Sequence, residues 1–367
     1  VVVATNLAET SLTIEGVRIV VDAGLERRQR FDPNTGMSRL DTVPISRASA
    51  DQRRGRAGRT APGICYRLWS ESAHAALSTQ AAPEILEADL APLALELACW
   101  GASDPYSLAW LDPPPLASLR QAGDLLQRLE AIDERGQVTA LGRRMASLGT
   151  HPRLAHMIER GAALGLADLA CDIAGLVSER DPLRAQGMQR DPDLRHRVDV
   201  LRGAPAPAGF TVDGRALQQV RRSSELFARR SRRADAAPTH GQPQLERDQA
   251  TGLLLAFAFP DRIGMARAGE GGRYLLSQGR GAALPGPSAL ARSEFIVAAE
   301  IDAGEREAKL YLAAPLERAL LERHFGAFIT EQDEVAWDAR AGAVIARRLK
   351  RLGALVLEER ALRGGIE

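Results

Sequence analysis

The stretch DQRRGRAGRT, residues 51–60, sets four arginines and two glycines into ten residues. Gln52, Arg56 and Arg59 recur at spacings of four and three, which on a helix predicts that all three share one face. Gly55 and Gly58, interleaved with them, leave room for a backbone or a ligand to come close. The guanidinium fork stays charged and binds two oxygens together, so this phase suits a clamp on a phosphate chain. A solvated basic turn needs neither the phase nor the glycines.

Some forty residues upstream lies ATNLAETSLTIEG (4–16). The β-branched run at residues 1–3 predicts a strand that ends at Ala4. Polar Thr5 and Asn6 follow it, and Glu9, Thr10, Ser11 and Thr13 crowd the next turn. Hydroxyls and amides at the carboxyl edge of a strand suit a sugar-phosphate backbone, although a purely structural cap has the same composition. VRIVVDAG (17–24) reads as another buried strand of a parallel α/β sheet. RRQRFDPNTGMSRLDTVPIS (27–46) reads as a hairpin, with turn chemistry from Asp32 to Gly36. ICYRLW (64–69) supplies one more strand.

The 367 residues imply several domains. The net charge of +1 excludes a bulk polycation, so any nucleic-acid surface must be local. All the basic residues but Lys309 and Lys350 are arginine. Cys65, Cys99 and Cys171 form no CxxC pair, which argues against zinc and a disulfide framework; no metal site is expected, and a reduced, cytoplasmic setting is. No apolar run is long enough to span a bilayer, no signal peptide is visible, and no membrane partner is expected. From about residue 75 the pattern turns helical. Leu116, Leu119, Leu126 and Leu129 are spaced to line one helix face, and Thr139 is the N-cap of the next helix after a brief strand. Residues 143–259 read as all-helical, with VRRSSELFARRSRR (220–233) as a basic helix whose charges are solvated or track a phosphate backbone. RYLLSQ, EFIVAAEI and EAKLYLAA then predict a small β-barrel. Tyr274, on one of those strands, is either a stacking platform or packing.

TNLAETSLTI and QRRGRAGR together resemble the fifth and sixth motifs of DEAH-box RNA helicases, and FPDRI, RYLLSQGRGAALP and ARRLKRLGALVL resemble the bacterial HrpB type more narrowly. The resemblance implies a multidomain α/β plus α fold in five parts. These are the C-terminal part of a second RecA-like domain with its parallel sheet and β-hairpin (1–72), a winged helix (73–142), a helical ratchet-like bundle (143–259), an OB-like β-barrel region (260–328) and the start of an HrpB-type C-terminal domain (329–367). It implies ATP and Mg2+ as cofactors. Gln52, Arg56 and Arg59 would face the γ-phosphate, with the two arginines as fingers, and Glu15 would lie near the ribose. Thr5, Asn6 and Thr13 would contact RNA, mostly single-stranded and without sequence preference.

The sequence has no glycine-rich loop ending in Gly-Lys-Ser/Thr and no Asp-Glu-x-His, the groups that hold phosphates and magnesium. With VVVATN at its start and RGGIE at its end, the chain is expected to be a piece of a longer protein, partnered by a missing N-terminal RecA-like domain. That domain would carry most Mg2+ ligands, and the chain alone is expected to be inactive; an activator protein is a further open partner. Two other readings stay open: a non-enzymatic nucleic-acid-binding scaffold, and a DNA helicase of the same superfamily.

Overall fold

The computed structural model describes residues 1–10, 15–32, 37–59, 61–102, 104–187, 190–232, 245–302, 307–338 and 343–362. It divides into two compact units, residues 1–90 with 106–121 and residues 91–105 with 122–367.

The first unit contains α1 (Leu7–Thr10), β1 (Ile19–Asp22), β2 (Leu25–Asp32), β3 (Met37–Pro44), α2 (Arg47–Ala57), β4 (Ile64–Arg67) and α3 (Glu71–Ala76). β1 and β4 pair in parallel, from Ile19↔Ile64 to Asp22↔Arg67. A parallel pair needs a crossover connection, and α2 is the helix in it. Gly63 is required where the chain re-enters β4, because a Cβ there would stand 2.1 Å from the Ala57 carbonyl oxygen. β2 and β3 form the expected hairpin in unbroken register from Leu25↔Pro44 to Asp32↔Met37; its turn residues 33–36 lie outside the described residues. Glu87 pins this hairpin twice. Its carbonyl accepts from the Phe31 amide at 2.7 Å, and its carboxylate pairs with Arg28 and Arg30 at 3.4 and 3.3 Å.

The strand expected at residues 1–3 is not formed: Val1, Val2 and Val3 are exposed and outside any strand. A β-branched run becomes a strand only when a neighbour takes its backbone hydrogen bonds, and none pairs with this one among the described residues. The parallel sheet described therefore has two strands.

The second unit holds α4 (Ala91–Trp100) and the end of α5 (Leu116–Arg128), then α6 (Ala140–Ser147), α7 (Pro152–Ala163) and α8 (Ala167–Ser178). β5 (Leu183–Ala185), α9 (Leu194–Leu201), β6 (Phe210–Val212), α10 (Gly214–Ser231) and α11 (Arg247–Ala258) follow. Thr139 caps α6, its hydroxyl accepting from the Gly142 amide at 2.9 Å. The buried face of α5 is Ser118, Ala122, Leu125, Leu126 and Leu129, while Leu116 is exposed, so the apolar stripe is rotated from the expected one. Three-residue strands β5 and β6 pair antiparallel within the stretch expected to be all-helical. The strand expected before α6 is a single bridge, Ile132↔Val138.

The expected barrel is present. β7 (Ile263–Ala266), β8 (Arg273–Leu276), β9 (Gly281–Ala283), β10 (Phe295–Ile301) and β11 (Ala308–Leu316) close in the order β10-β11-β9-β8-β7. Phe295 to Ala299 are buried in succession because β10 has the barrel interior on one side and α11 on the other. α11 approaches so closely that a Cβ at Gly252 would lie 1.8 Å from the Pro315 carbonyl oxygen. Tyr274 is packing, fully buried with its hydroxyl donating to the Leu290 carbonyl. After α12 (Arg318–Phe325), the strands β12 (Ile329–Asp338), β13 (Ala343–Leu352) and β14 (Leu355–Ala361) form an antiparallel sheet. Among the described residues no helix is long and apolar enough to cross a membrane.

One buried ion pair joins the helices to the barrel. Arg153 of α7 donates to both oxygens of Asp261, at 2.5 and 2.9 Å, and to the Ala258 carbonyl at 3.1 Å. Asp261 is buried, which opposes its charge, yet Arg153 and Arg262 hold its carboxyl far below the usual range. The Arg153 and Arg262 guanidiniums both lie over the Phe259 ring, 5.4 and 4.8 Å from its centre.

His156, on the same helix, is buried and neutral. The Phe257 carbonyl can only accept, so Nδ1 carries the proton at 2.7 Å, and Nε2 meets no hydrogen-bond partner among the described residues. Protonation would bury an uncompensated charge, and burial lowers the pKa to about 4 from 6.5. Above pH 6.5 both folded and unfolded forms are neutral. As pH falls from 6.5 to about 4 only the unfolded chain gains this proton, so stability is lost over that window, by about 3 kcal/mol in all. Denaturant melts of His156→Gln across this window should lack that component, and an identical pH dependence would show that His156 is not its source.

Candidate functional site

α2 begins where Ser46 accepts from the Ser49 amide at 3.1 Å, and it ends at the Gly58 cap. Its inward positions are small: Ser49, Ala50 and Ala57 are buried. Gln52 is exposed and Arg56 half-buried, one helical turn apart. Arg59 is exposed and lies past Gly58, beyond the helix end. The expected single helical face therefore holds for Gln52 and Arg56 only; Arg59 extends the row from the chain that leaves the helix. Among the described residues, a Cβ at Gly55 or Gly58 would meet nothing within 4 Å. This end of α2 thus carries an amide and a guanidinium one turn apart, with a second guanidinium following, a chemistry that fits the phosphate end of a nucleotide.

Arg53 points the other way and binds the unit together. Its Nε donates to Glu9 at 3.1 Å, and its Nη1 donates to Asp22 at 3.0 Å and to the Leu25 carbonyl at 3.2 Å. Asp22 is buried and its Oδ1 also accepts from the Gly24 amide at 2.9 Å. Burial works against the Arg53 charge, but the hydrogen bonds and charges of Glu9 and Asp22 outweigh it and raise its pKa above the usual arginine value. One side chain of α2 therefore fixes α1, the end of β1 and the start of the hairpin. A second tie lies at the helix start, where Arg67 donates to Asp51 at 2.8 Å and that hydrogen bond holds the Asp51 carboxyl below its ordinary range. Arg67 also lies 5.8 Å from the Trp69 ring, which stacks on His74.

Thr5 and Asn6 are exposed at the turn into α1, where their carbonyls accept from Ala8 and Glu9 at 3.1 and 2.9 Å. Asn6 also lines a cleft of about 380 Å³ with Arg27 and Arg28 of the hairpin and Glu84 and Glu87 beyond it. Thr13 lies outside the described residues. Glu15 is exposed before the Gly16 turn and makes no hydrogen bond or ion pair among the described residues. No group of three His, Cys, Asp or Glu is placed to hold a metal ion among those residues.

Arg53 was the important omission of the sequence reading. Its signal was present: Ser49, Ala50, Arg53 and Ala57 fall at the spacings of one buried stripe, so the arginine on that stripe had to find carboxylates inside.

Comparison with known proteins adds two family matches. Residues 328–362 match the connector region of the ATP-dependent RNA helicase HrpB, and residues 124–149 match the winged-helix part of the helicase associated domain, HA2. The chain is 38% identical over 360 residues to the ATP-dependent RNA helicase HrpB of Escherichia coli strain K12, covering 98% of this chain and 41% of that protein. It is 42% identical over 179 residues to the pre-mRNA-splicing factor ATP-dependent RNA helicase prp22 of Schizosaccharomyces pombe, covering 48% of this chain and 15% of that one. A crystal structure of the E. coli DExH-box NTPase HrpB superposes with a TM-score of 0.79 at 35% identity, over 99% of this chain and 41% of the other. The chain thus spans about two-fifths of the length of HrpB.

Replacing Arg53 with alanine leaves Glu9 and Asp22 facing each other without their cation. The expected loss is about 3 kcal/mol, measured as a lower denaturation midpoint, whereas the neighbouring exposed Arg54→Ala should change it by less than about 0.5 kcal/mol. Equal effects at the two positions would contradict the central role given to Arg53.

Proposed function

Because the chain is homologous to HrpB and corresponds to the C-terminal region of a DEAH-box helicase, we propose that the protein carrying it is an ATP-dependent RNA helicase acting on single-stranded RNA without sequence preference. The observation that carries this reading is the pair Gln52 and Arg56, one turn apart on a helix held by Arg53, with Arg59 just past its end.

In this reading 1–72 is part of a second RecA-like domain, 73–142 the winged helix, 143–259 the ratchet-like bundle, 260–328 the barrel region and 329–367 the start of the C-terminal domain. ATP binds between this RecA-like part and a first one, which holds most of the Mg2+ ligands. Gln52, Arg56 and Arg59 reach the γ-phosphate, and Glu15 the ribose. As the terminal phosphoryl group leaves, charge spreads over its equatorial oxygens, and fixed guanidiniums stabilise that charge without reorganising. Thr5, Asn6 and Thr13 hold the RNA backbone, the hairpin stands near the point of strand separation, and cycles of closure advance the strand. The chain on its own does not turn over ATP, and the protein works in the cytoplasm.

In the intact protein, Arg56→Ala and Arg59→Ala should each lower RNA-stimulated ATP hydrolysis by about 10³-fold while leaving RNA affinity unchanged. Retained hydrolysis would remove the finger assignment. Stimulation by single-stranded DNA equal to that by RNA would move the assignment to a helicase without RNA preference, since backbone contacts discriminate only through the 2′-hydroxyl.

A further inference from the structure

The β2–β3 hairpin is a sheet of its own, with no third strand among the described residues. An isolated pair of strands is only marginally stable, so its placement has to come from contacts along its length. At its base the Leu25 carbonyl accepts from Arg53 of α2 at 3.2 Å, and the Gly24 carbonyl accepts from the Ile45 amide at 3.0 Å. Phe31 lies further along β2, about 20 Å away. Its amide donates to the Glu87 carbonyl at 2.7 Å.

Glu87 holds that far end with charge as well. Glu26, Arg28 and Arg30 alternate along β2 and so share one face of the hairpin. Arg28 donates to Glu26, and the Glu87 carboxylate pairs with Arg28 and Arg30 at 3.4 and 3.3 Å. One acid is thus set against two neighbouring guanidiniums, and its side chain is 16% exposed, so salt screens the pairs only in part. A 3-10 turn at Glu84–Leu86 fixes Glu87 in turn, the Glu87 amide donating to the Glu84 carbonyl at 3.0 Å.

The stretch that carries Glu87, residues 78–90, begins on α2. The Ser78 and Thr79 carbonyls accept from the Arg47 and Ala48 amides at 2.8 and 3.1 Å. Those are first-turn amides that a helix cannot satisfy by itself. The Arg47 guanidinium adds a bond to the Thr79 hydroxyl at 2.8 Å. The cleft of about 380 Å³ lies between this stretch and β2, lined by Arg27, Arg28, Ala81 and Glu84, so Glu87 bridges a gap. Both ends of β2 are therefore tied to α2, the base through Arg53 and the far end through Glu87.

We propose that Glu87 is a positioning residue that couples strand separation to ATP hydrolysis, by holding the far end of the hairpin in place relative to the helix that carries Gln52 and Arg56. This rests on the RNA-helicase reading above and deepens it. Glu87 acts through the hairpin and not on the nucleotide. Without it two like charges share one face of β2 and the outer hairpin is released, while Arg53 still holds the base and α2. Hydrolysis then continues, and the separation it drives is lost.

The test uses the intact protein, a fluorophore- and quencher-labelled RNA duplex with a single-stranded tail at each end, and an oligouridylate. The readout is strands separated per ATP hydrolysed, a ratio to which unfolded molecules contribute nothing. Glu87→Arg should keep oligouridylate-stimulated hydrolysis within about twofold and lower the ratio at least about tenfold, the loss expected for removing a charged hydrogen-bond partner. Adding Arg30→Glu to that variant restores a pair of opposite charge and should recover at least about half of the wild-type ratio. Glu87→Gln keeps the shape and the main-chain bond and should lower the ratio about threefold. An unchanged ratio in Glu87→Arg overturns the proposal while the helicase reading stands, and so does a loss that Arg30→Glu does not repair. Where Glu87→Arg hydrolyses no ATP, Glu87→Gln decides, and a wild-type ratio there overturns the proposal. A wild-type protein that separates no strands overturns both readings.

Discussion

The first unit is organised around one partly buried guanidinium. Arg53 costs desolvation free energy wherever it is enclosed, and only the combination of Glu9, Asp22 and the Leu25 carbonyl offsets it. That requirement fixes three things together. It sets the roll of α2, and hence which residues face outward. It sets the position of α1, and Thr5 and Asn6 form the turn that leads into it. It also sets the start of the hairpin at Leu25. The two sequence motifs lie more than forty residues apart, yet they are the two ends of one ion-pair network. A helix rotated by one residue would expose Arg53, bury Gln52 and leave two carboxylates unpaired.

The second unit uses the same chemistry at other joints. Arg153 and Asp261 close the contact between α7 and the barrel entrance, and Arg230 caps the open carbonyls at the end of α6. A protein with only two lysines builds such ties from planar forks, which satisfy two acceptors with one side chain. Some of the 48 basic and 47 acidic residues are paired inside the fold, as Arg153 is with Asp261. Net charge is then a poor guide to surface potential, because what matters outside is the set of cations that found no internal acid.

Much of this architecture was legible in the sequence. The 25–44 hairpin followed from its turn residues and alternation, the barrel from strand-length apolar runs between glycines, and the α6 cap from Thr139. Where the reading missed, the missing information was tertiary. Val1–Val3 have high strand propensity, but a strand exists only with a partner. β5 and β6 are three residues each, too short for any period to show. Leu116 belongs to the leucine pattern of α5 yet faces outward, because burial there follows Ala122, Leu125 and Leu129. At the site, the spacing of Gln52 and Arg56 was read correctly as one face, whereas Arg59 follows a glycine at which the helix stops.

That stop matters for how the arginines act. Arg56 is half-buried on a helix whose roll is fixed from behind, so much of its conformational entropy is already surrendered on folding. Arg59 is exposed beyond Gly58, past the end of the helix. A preorganised donor stabilises developing charge most effectively when its position needs no adjustment, while a donor on a less constrained segment can follow a ligand as a cleft closes around it. Under the proposed function, the glycine between them separates two settings: Arg56 stands on the helix, and Arg59 on the chain that leaves it. Two guanidiniums of identical charge are thus made unequal by the backbone that carries them.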